Sequence, residues 1–111
     1  MASEFSYKLT EKAAADLDGI VSYIVVQLEN PQAATGFLIS LESAIHEICL
    51  FPESGSLVIN EFLPHKGIRK KLVDNYIMYY LPGMTDETIY VLRVIYGRRN
   101  LDEILREMNF S

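Results

Sequence analysis

Eight of the ten lysines and arginines in this chain fall after residue 65, and most stand in two groups: Lys66 with Arg69-Lys70-Lys71, and Arg93 with Arg98-Arg99. Cations clustered this way suit contact with phosphates or with an acidic protein surface, and they equally suit a solvated strand edge. Arg93 stands apart. It interrupts the apolar run Ile89-Tyr90-Val91-Leu92-Arg93-Val94-Ile95-Tyr96, where a guanidinium among aliphatic neighbours has to find an anion or a polar partner.

Few other side chains offer chemistry. His46 adjoins Glu47 on a helical stretch, His65 adjoins Pro64 near the first basic group, and both read as surface groups without an orienting partner. Asp16 and Asp18, like Asp102 and Glu103, are not spaced to share one helical face and read as solvated. Cys49 cannot form an internal disulfide, and its setting, Ile48-Cys49-Leu50-Phe51, reads as a buried, inert thiol. There is no Gly-rich phosphate loop, Cys/His metal pattern or nucleophile elbow, so neither metal nor cofactor is expected.

Length and composition bound the fold. At 111 residues, half of them apolar and 23% charged, the chain reads as one globular domain able to bury its own core. No run of about twenty apolar residues suggests a bilayer span, and residues 1–7 lack a signal-peptide core, so a cytoplasmic protein is expected. The net charge of −5 is unevenly spread. Residues 1–65 hold two lysines against nine acids, a balance of −7, whereas residues 66–111 hold eight basic and six acidic residues, a balance of +2.

The elements that must position the cations follow from periodicity. Phe5, Tyr7 and Leu9 alternate with polar residues as a short strand. Thr10 can cap a helix over 11–28 with Ala14, Leu17, Val21, Ile24 and Leu28 on its apolar stripe. Asn30-Pro31 starts a second helix that carries Ala34, Phe37, Leu38, Leu41, Ile45 and Ile48 and stops before Pro52. The short connection makes the two an antiparallel hairpin. Residues 52–66 read as a loop, with Leu57-Val58-Ile59 no more than a stub of strand. Three strands follow, at 68–73, 76–81 and 88–96, joined by short turns into an antiparallel meander. On the last of them, period two puts Tyr90, Leu92, Val94 and Tyr96 on one face and Ile89, Val91, Arg93 and Ile95 on the other. Asn100 can cap a final helix with Leu101, Ile104, Leu105 and Met108 on one stripe. The fold class is α+β: an N-terminal strand, and a helical hairpin on one face of a mainly antiparallel sheet, closed by a short C-terminal helix. That helix is expected to leave a Tyr- and Met-bearing patch uncovered for a partner.

Several stretches together resemble the RelE/ParE superfamily of toxin–antitoxin toxins. They are Ala15-Asp16-Leu17, Ile20, Tyr23-Ile24, Asn30-Pro31, Ala33-Ala34, Phe37, Leu41, Ala44-Ile45, Phe51-Pro52 and Gly55 in the hairpin and loop. The meander adds Gly67-Ile68-Arg69-Lys70, Asn75-Tyr76, Tyr79-Tyr80 and Leu92-Arg93-Val94-Ile95-Tyr96-Gly97-Arg98-Arg99, followed by Ile104-Leu105. The resemblance runs over roughly Tyr7 to Leu105, most of the chain. It implies a small cytoplasmic toxin of a plasmid-stabilising addiction module, blocked by a cognate antitoxin that wraps around it, as a homodimer or a hetero-oligomer with that antitoxin.

The superfamily divides by target. One branch cleaves mRNA on the ribosome, which requires a base for the 2′-hydroxyl, cations for the phosphorane and an acid for the leaving oxygen. By resemblance those positions correspond to Arg69 and Lys71 on the first meander strand, Ile77 on the second, Arg99 after the third and about Leu105 near the end. Ile77 and Leu105 cannot serve, and no Tyr or His follows Tyr96. The other branch binds and poisons DNA gyrase without hydrolysis. The missing groups and the acidic balance place this chain closer to that ParE-like branch, with Arg69, Lys70, Lys71, Arg93, Arg98, Arg99, Tyr76 and Met78 as target- or antitoxin-binding residues. The alternatives are a ribosome-dependent mRNA interferase drawing its base and acid from Arg69, Lys71, His65 and Arg99, and a detoxified binding module.

Overall fold

The computed structural model describes residues 4–59 and 67–98. The expected final helix, together with Arg99, Lys66 and His65, lies outside the described residues. Strand β1 (Ser6–Leu9) leads into helix α1 (Glu11–Ser22), which continues as a π-helical turn, Tyr23–Gln27. Helix α2 (Pro31–Leu50) follows, then β2 (Ser56–Leu57), β3 (Arg69–Val73), β4 (Tyr76–Gly83) and β5 (Thr88–Tyr96). The five strands lie in the order β1-β5-β4-β3-β2, with β1 parallel to β5 and the other pairs antiparallel. The expected α+β architecture is therefore present, with the meander intact.

The helix starts are set by their caps. Thr10 Oγ1 accepts the Ala13 N–H at 3.1 Å, and Asn30 Oδ1 accepts the Ala33 N–H at 3.0 Å, with Pro31 at the position where its missing N–H costs nothing. At the end of α1 the backbone widens: the Leu28 N–H donates to Tyr23 O, five residues back, and Glu29 takes a left-handed φ of 49° to turn the chain. The wide turn breaks the 3.6-residue period. Leu28, expected on the apolar stripe, is thereby rotated out to 54% exposure, and the stripe instead runs through Ala13, Leu17, Ile20, Val21 and Ile24. On α2, Leu38 is likewise exposed, and Ala44 and Cys49 take buried positions beside Phe37, Leu41, Ile45 and Ile48. By length and composition α2 could cross a bilayer, contrary to the expectation above. Its buried residues, however, all join the core against the sheet, as in a core helix.

The sheet is apolar on both sides. Tyr76, Met78 and Tyr80 of β4 face the helices, while Ile77, Tyr79 and Leu81 face away, as alternation requires. The pattern on β5 departs from the simple alternation expected. Arg93 pairs with Tyr79 but Val91 pairs with Tyr80, so Leu92 is an extra residue, a β-bulge. Beyond the bulge the faces are exchanged, and Val94 joins Ile89 and Val91 in the helix-side core while Leu92 and Ile95 join Tyr79 on the opposite side. That opposite side is not open. Ile68, Tyr79, Leu92 and Ile95 are each at most 5% exposed, so the uncovered patch expected there is absent at these positions. Each such burial stabilises the fold by about 1.5–3 kcal/mol relative to exposure.

The 52–66 stretch is more ordered than expected at its start. Ser56 and Leu57 pair with Lys70 and Arg69, and the Val58 N–H donates to Ile68 O at 2.9 Å. A Cβ on Gly55 would stand 2.6 Å from Lys70 O and from the Tyr80 hydroxyl, so only glycine lets the loop close on β3.

Candidate functional site

The cations that the sequence groups together are separated by the fold. Arg69 and Lys71 project to the helix side of β3, in register with Tyr80 and Met78, and Lys70 projects to the other side, in register with Tyr79. Arg69 is bound to its own loop: its guanidinium donates to Gly55 O at 2.8 Å and to Glu53 O at 3.2 Å. Lys71 Nζ lies 3.0 Å from Glu47 Oε2 on α2. The Tyr80 hydroxyl, fully buried, donates to Pro52 O at 2.8 Å and accepts the Gly55 N–H at 2.9 Å. Arg69, Tyr80 and Gly55 thus form one latch that holds the loop between α2 and β2.

Arg93 finds its anion inside the chain. Its Nε and a terminal nitrogen donate to the two oxygens of Asp16 at 2.7 and 3.0 Å, and the Val94 N–H donates to the same carboxylate at 3.0 Å. The reason is the end of β1. Strand β1 pairs with β5 only as far as Val91, and past that point side chains at the start of α1 replace it. Thr10 Oγ1 donates to Leu92 O at 2.9 Å, and Asp16 takes the Val94 N–H. Arg93, expected as a contact residue for a target or antitoxin, is 7% exposed and belongs to the framework. Asp16, expected to be solvated, is its partner. A signal for it existed: Ala13, Asp16, Leu17 and Ile20 sit at helical spacing, which places the carboxylate on the buried stripe.

Met78 is also a core residue, with no exposure under the helices, rather than a surface contact. Tyr76 behaves differently. It stacks edge-on between Phe37, at a centroid distance of 5.1 Å, and Tyr96, at 5.8 Å, and it lines a groove of about 650 Å³. Asp16, Tyr23, Leu28, Asn75 and Tyr96 complete the walls. Tyr23, Leu28 and Tyr96 are 52%, 54% and 44% exposed, which makes this an accessible aromatic surface. Just past Tyr96, the Gly97 N–H donates to Asn75 O at 2.9 Å, and Arg98, exposed, follows in the chain. Of this groove's tyrosines, sequence reasoning named Tyr76 as a binding residue but not Tyr23 or Tyr96.

Burial raises the hydroxyl pKa of Tyr76, Tyr79 and Tyr80, with the Tyr23 and Tyr96 hydroxyls adding to the effect at Tyr76. Burial, with a smaller contribution from Glu4, raises the Cys49 thiol, and the Tyr90 hydroxyl lowers the Asp86 carboxyl. Every one of these shifts moves its group further from neutral pH.

Comparison with known proteins places this geometry. Residues 7–101 match the family of ParE toxins of the type II toxin–antitoxin system parDE. Among solved structures, the chromosomal ParDE TA system from P. aeruginosa shares 25% identity, with a TM-score of 0.64 over 84% of this chain and 96% of that one. The toxin–antitoxin complex RelBE2 from Mycobacterium tuberculosis shares the fold at 18% identity, with a TM-score of 0.62 over 85% and 99% of the two chains. No curated protein matches the sequence.

Proposed function

Because the chain belongs to the ParE toxins of type II toxin–antitoxin systems, we propose that it poisons DNA gyrase by binding and is neutralised by a cognate antitoxin. The observation that carries this reading is how the nuclease-like cations are committed. Arg69 is held by two loop carbonyls and Lys71 by Glu47. By the resemblance, the β4 position where the ribonuclease branch has an arginine corresponds to Ile77. Cations fixed on their own chain are poor stabilisers of a phosphorane, and no described group with a clear pKa shift moves toward the range of a general base.

The surface that fits the role is the groove at the end of β5. Tyr23, Tyr76 and Tyr96 offer large, rigid apolar area with polar tips, and the exposed Arg98 follows Tyr96 by two residues. This is the composition that concentrates binding energy at protein interfaces. The same surface suits an antitoxin, which would then compete with the target.

Two assays run in parallel test the proposal. Purified protein added to gyrase should stop supercoiling of relaxed plasmid, and the cognate antitoxin should restore it. Primer extension on translated mRNA should give no codon-phased ends. Phased ends with normal supercoiling would establish a ribosome-dependent interferase instead, and neither effect would leave a binding module without toxicity.

A further inference from the structure

The aromatic groove at the end of β5 has a composition that selects for charge. Tyr76 and Tyr96 meet at 72° with ring centroids 5.8 Å apart, so they form adjoining walls of a corner, and Tyr23, from the π-helical turn, lines the same space. The three hydroxyls lie near one another: after burial itself, Tyr23 and Tyr96 are what raise the Tyr76 pKa. On α1 the wall is open at Gly19, where an added Cβ would have nothing within 4 Å. The other polar side chains of the lining are Asp16 and Asn75. No described lysine or arginine belongs to it, and neither Arg93 nor Arg98 is part of the walls.

Each of these features favours a cation. The face of an aromatic ring carries negative potential, and walls set near a right angle let one cation approach two faces at once. A carboxylate can accept about four hydrogen bonds. Asp16 accepts from the Arg93 Nε, from an Arg93 terminal nitrogen and from the Val94 N–H, which leaves room for a further donor. An aliphatic occupant would cover that oxygen without bonding it. A guanidinium suits the corner better than an ammonium, because it is planar, stacks on aromatic rings and donates in a fork. The surrounding charge agrees: residues 1–65, which supply α1 and the π-helical turn, balance at −7, and a protein that handles DNA presents cations for the phosphates.

We propose that this groove receives an arginine side chain of the target protein, its guanidinium lying among the Tyr23, Tyr76 and Tyr96 rings and donating to Asp16. The proposal deepens, and rests on, the reading that this groove is the surface that meets the target.

The test adds two capped peptides to the whole protein, Gly-Arg-Gly and the same peptide with citrulline for arginine, which keeps the shape and loses the charge. Ring-proton resonances of Tyr23, Tyr76 and Tyr96 should move with the arginine peptide, which should bind about tenfold more tightly than its neutral counterpart. Tyr96→Leu, which keeps apolar bulk at a 44%-exposed position, should remove the preference. In a supercoiling reaction the arginine peptide should relieve inhibition and the citrulline peptide should not. Equal binding of the two peptides, unmoved tyrosine resonances, or a preference that survives Tyr96→Leu would each overturn the proposal. Selective binding that leaves gyrase inhibited would overturn the target's arginine as the occupant. Selective binding by a protein that never inhibits gyrase would uphold the arginine site and reject gyrase as the target, whereas inhibition of gyrase without any peptide preference would do the reverse.

Discussion

Asp16 and Arg93, 77 positions apart, meet as a two-point ion pair with contacts of 2.7 and 3.0 Å, and the carboxylate also holds the Val94 N–H. The pair joins α1 to β5 at the place where β1 stops. Side-chain exposures of 9% and 16% make it largely desolvated, so removing one partner leaves a buried charge unpaired. Arg93→Ala should therefore destabilise the fold by about 3 kcal/mol, with Asp16→Asn less severe because its carbonyl oxygen can still accept. Urea unfolding checks this. A double mutant whose loss equals the sum of the single losses would deny the coupling.

The latch on the 52–55 loop makes a local prediction. Tyr80→Phe removes the acceptor of the Gly55 N–H and the donor to Pro52 O, and should cost about 1–3 kcal/mol. Gly55→Ala should cost a similar amount by overpacking, since its Cβ would meet the Lys70 carbonyl, which is backbone and cannot swing aside. Hydrogen exchange at Gly55 should accelerate in Tyr80→Phe. Unchanged exchange would show that the loop is held otherwise.

Cations with no ion pair among the described residues should matter for binding more than those the fold uses. Arg98 and Lys70 are exposed, and no ion pair to either is found among the described residues, whereas Lys71 faces Glu47. Arg98→Glu should weaken gyrase inhibition by about tenfold, roughly 1.4 kcal/mol, and the effect should shrink as salt rises. Lys71→Ala should change stability more than inhibition. The reverse ranking would return the working surface to β3.

The pH dependence has a defined sign. Asp86 has a folded pKa below its ordinary 3.8 because the Tyr90 hydroxyl donates to it, so this contact stabilises the fold above pH 3.8 and the contribution is lost as pH falls through the lowered value. Tyr76, Tyr79, Tyr80 and Tyr90 have folded pKa values above 10.0, so their contribution is fully present below pH 10.0 and is lost as pH rises through the raised values. Tyr90→Phe should lower stability at neutral pH and lose its difference from the parent protein in acid. A difference that persists in acid would assign it to packing instead.

Much of the fold was legible in the chain because its caps and periods are local. Thr10, Asn30-Pro31 and the Asp74-Asn75 turn each declare an element boundary within a few residues. What escaped was non-local. The bulge at Leu92 depends on where β1 ends and Asp16 arrives, and it exchanges the faces of everything after it, so period two could not assign Val94. The π-helical turn hid Leu28 in the same way, by breaking the 3.6-residue period. The candidate site suffered most. Arg69, Lys70 and Lys71 are neighbours in sequence, yet a strand sends alternate residues to opposite faces. Arg93 was rightly expected to need an anion, but the anion proved to be the chain's own.

The proposal that this toxin acts by occupying a target surface, without turning over RNA, is tested most directly by titrating purified protein into a supercoiling reaction at fixed gyrase. The account predicts inhibition that saturates near one toxin per gyrase subunit and is weakened by Tyr96→Ala and Arg98→Glu together, with ribosome-bound message left whole. Catalytic amounts that cut message at a fixed codon position, with supercoiling unaffected at any dose, would contradict it.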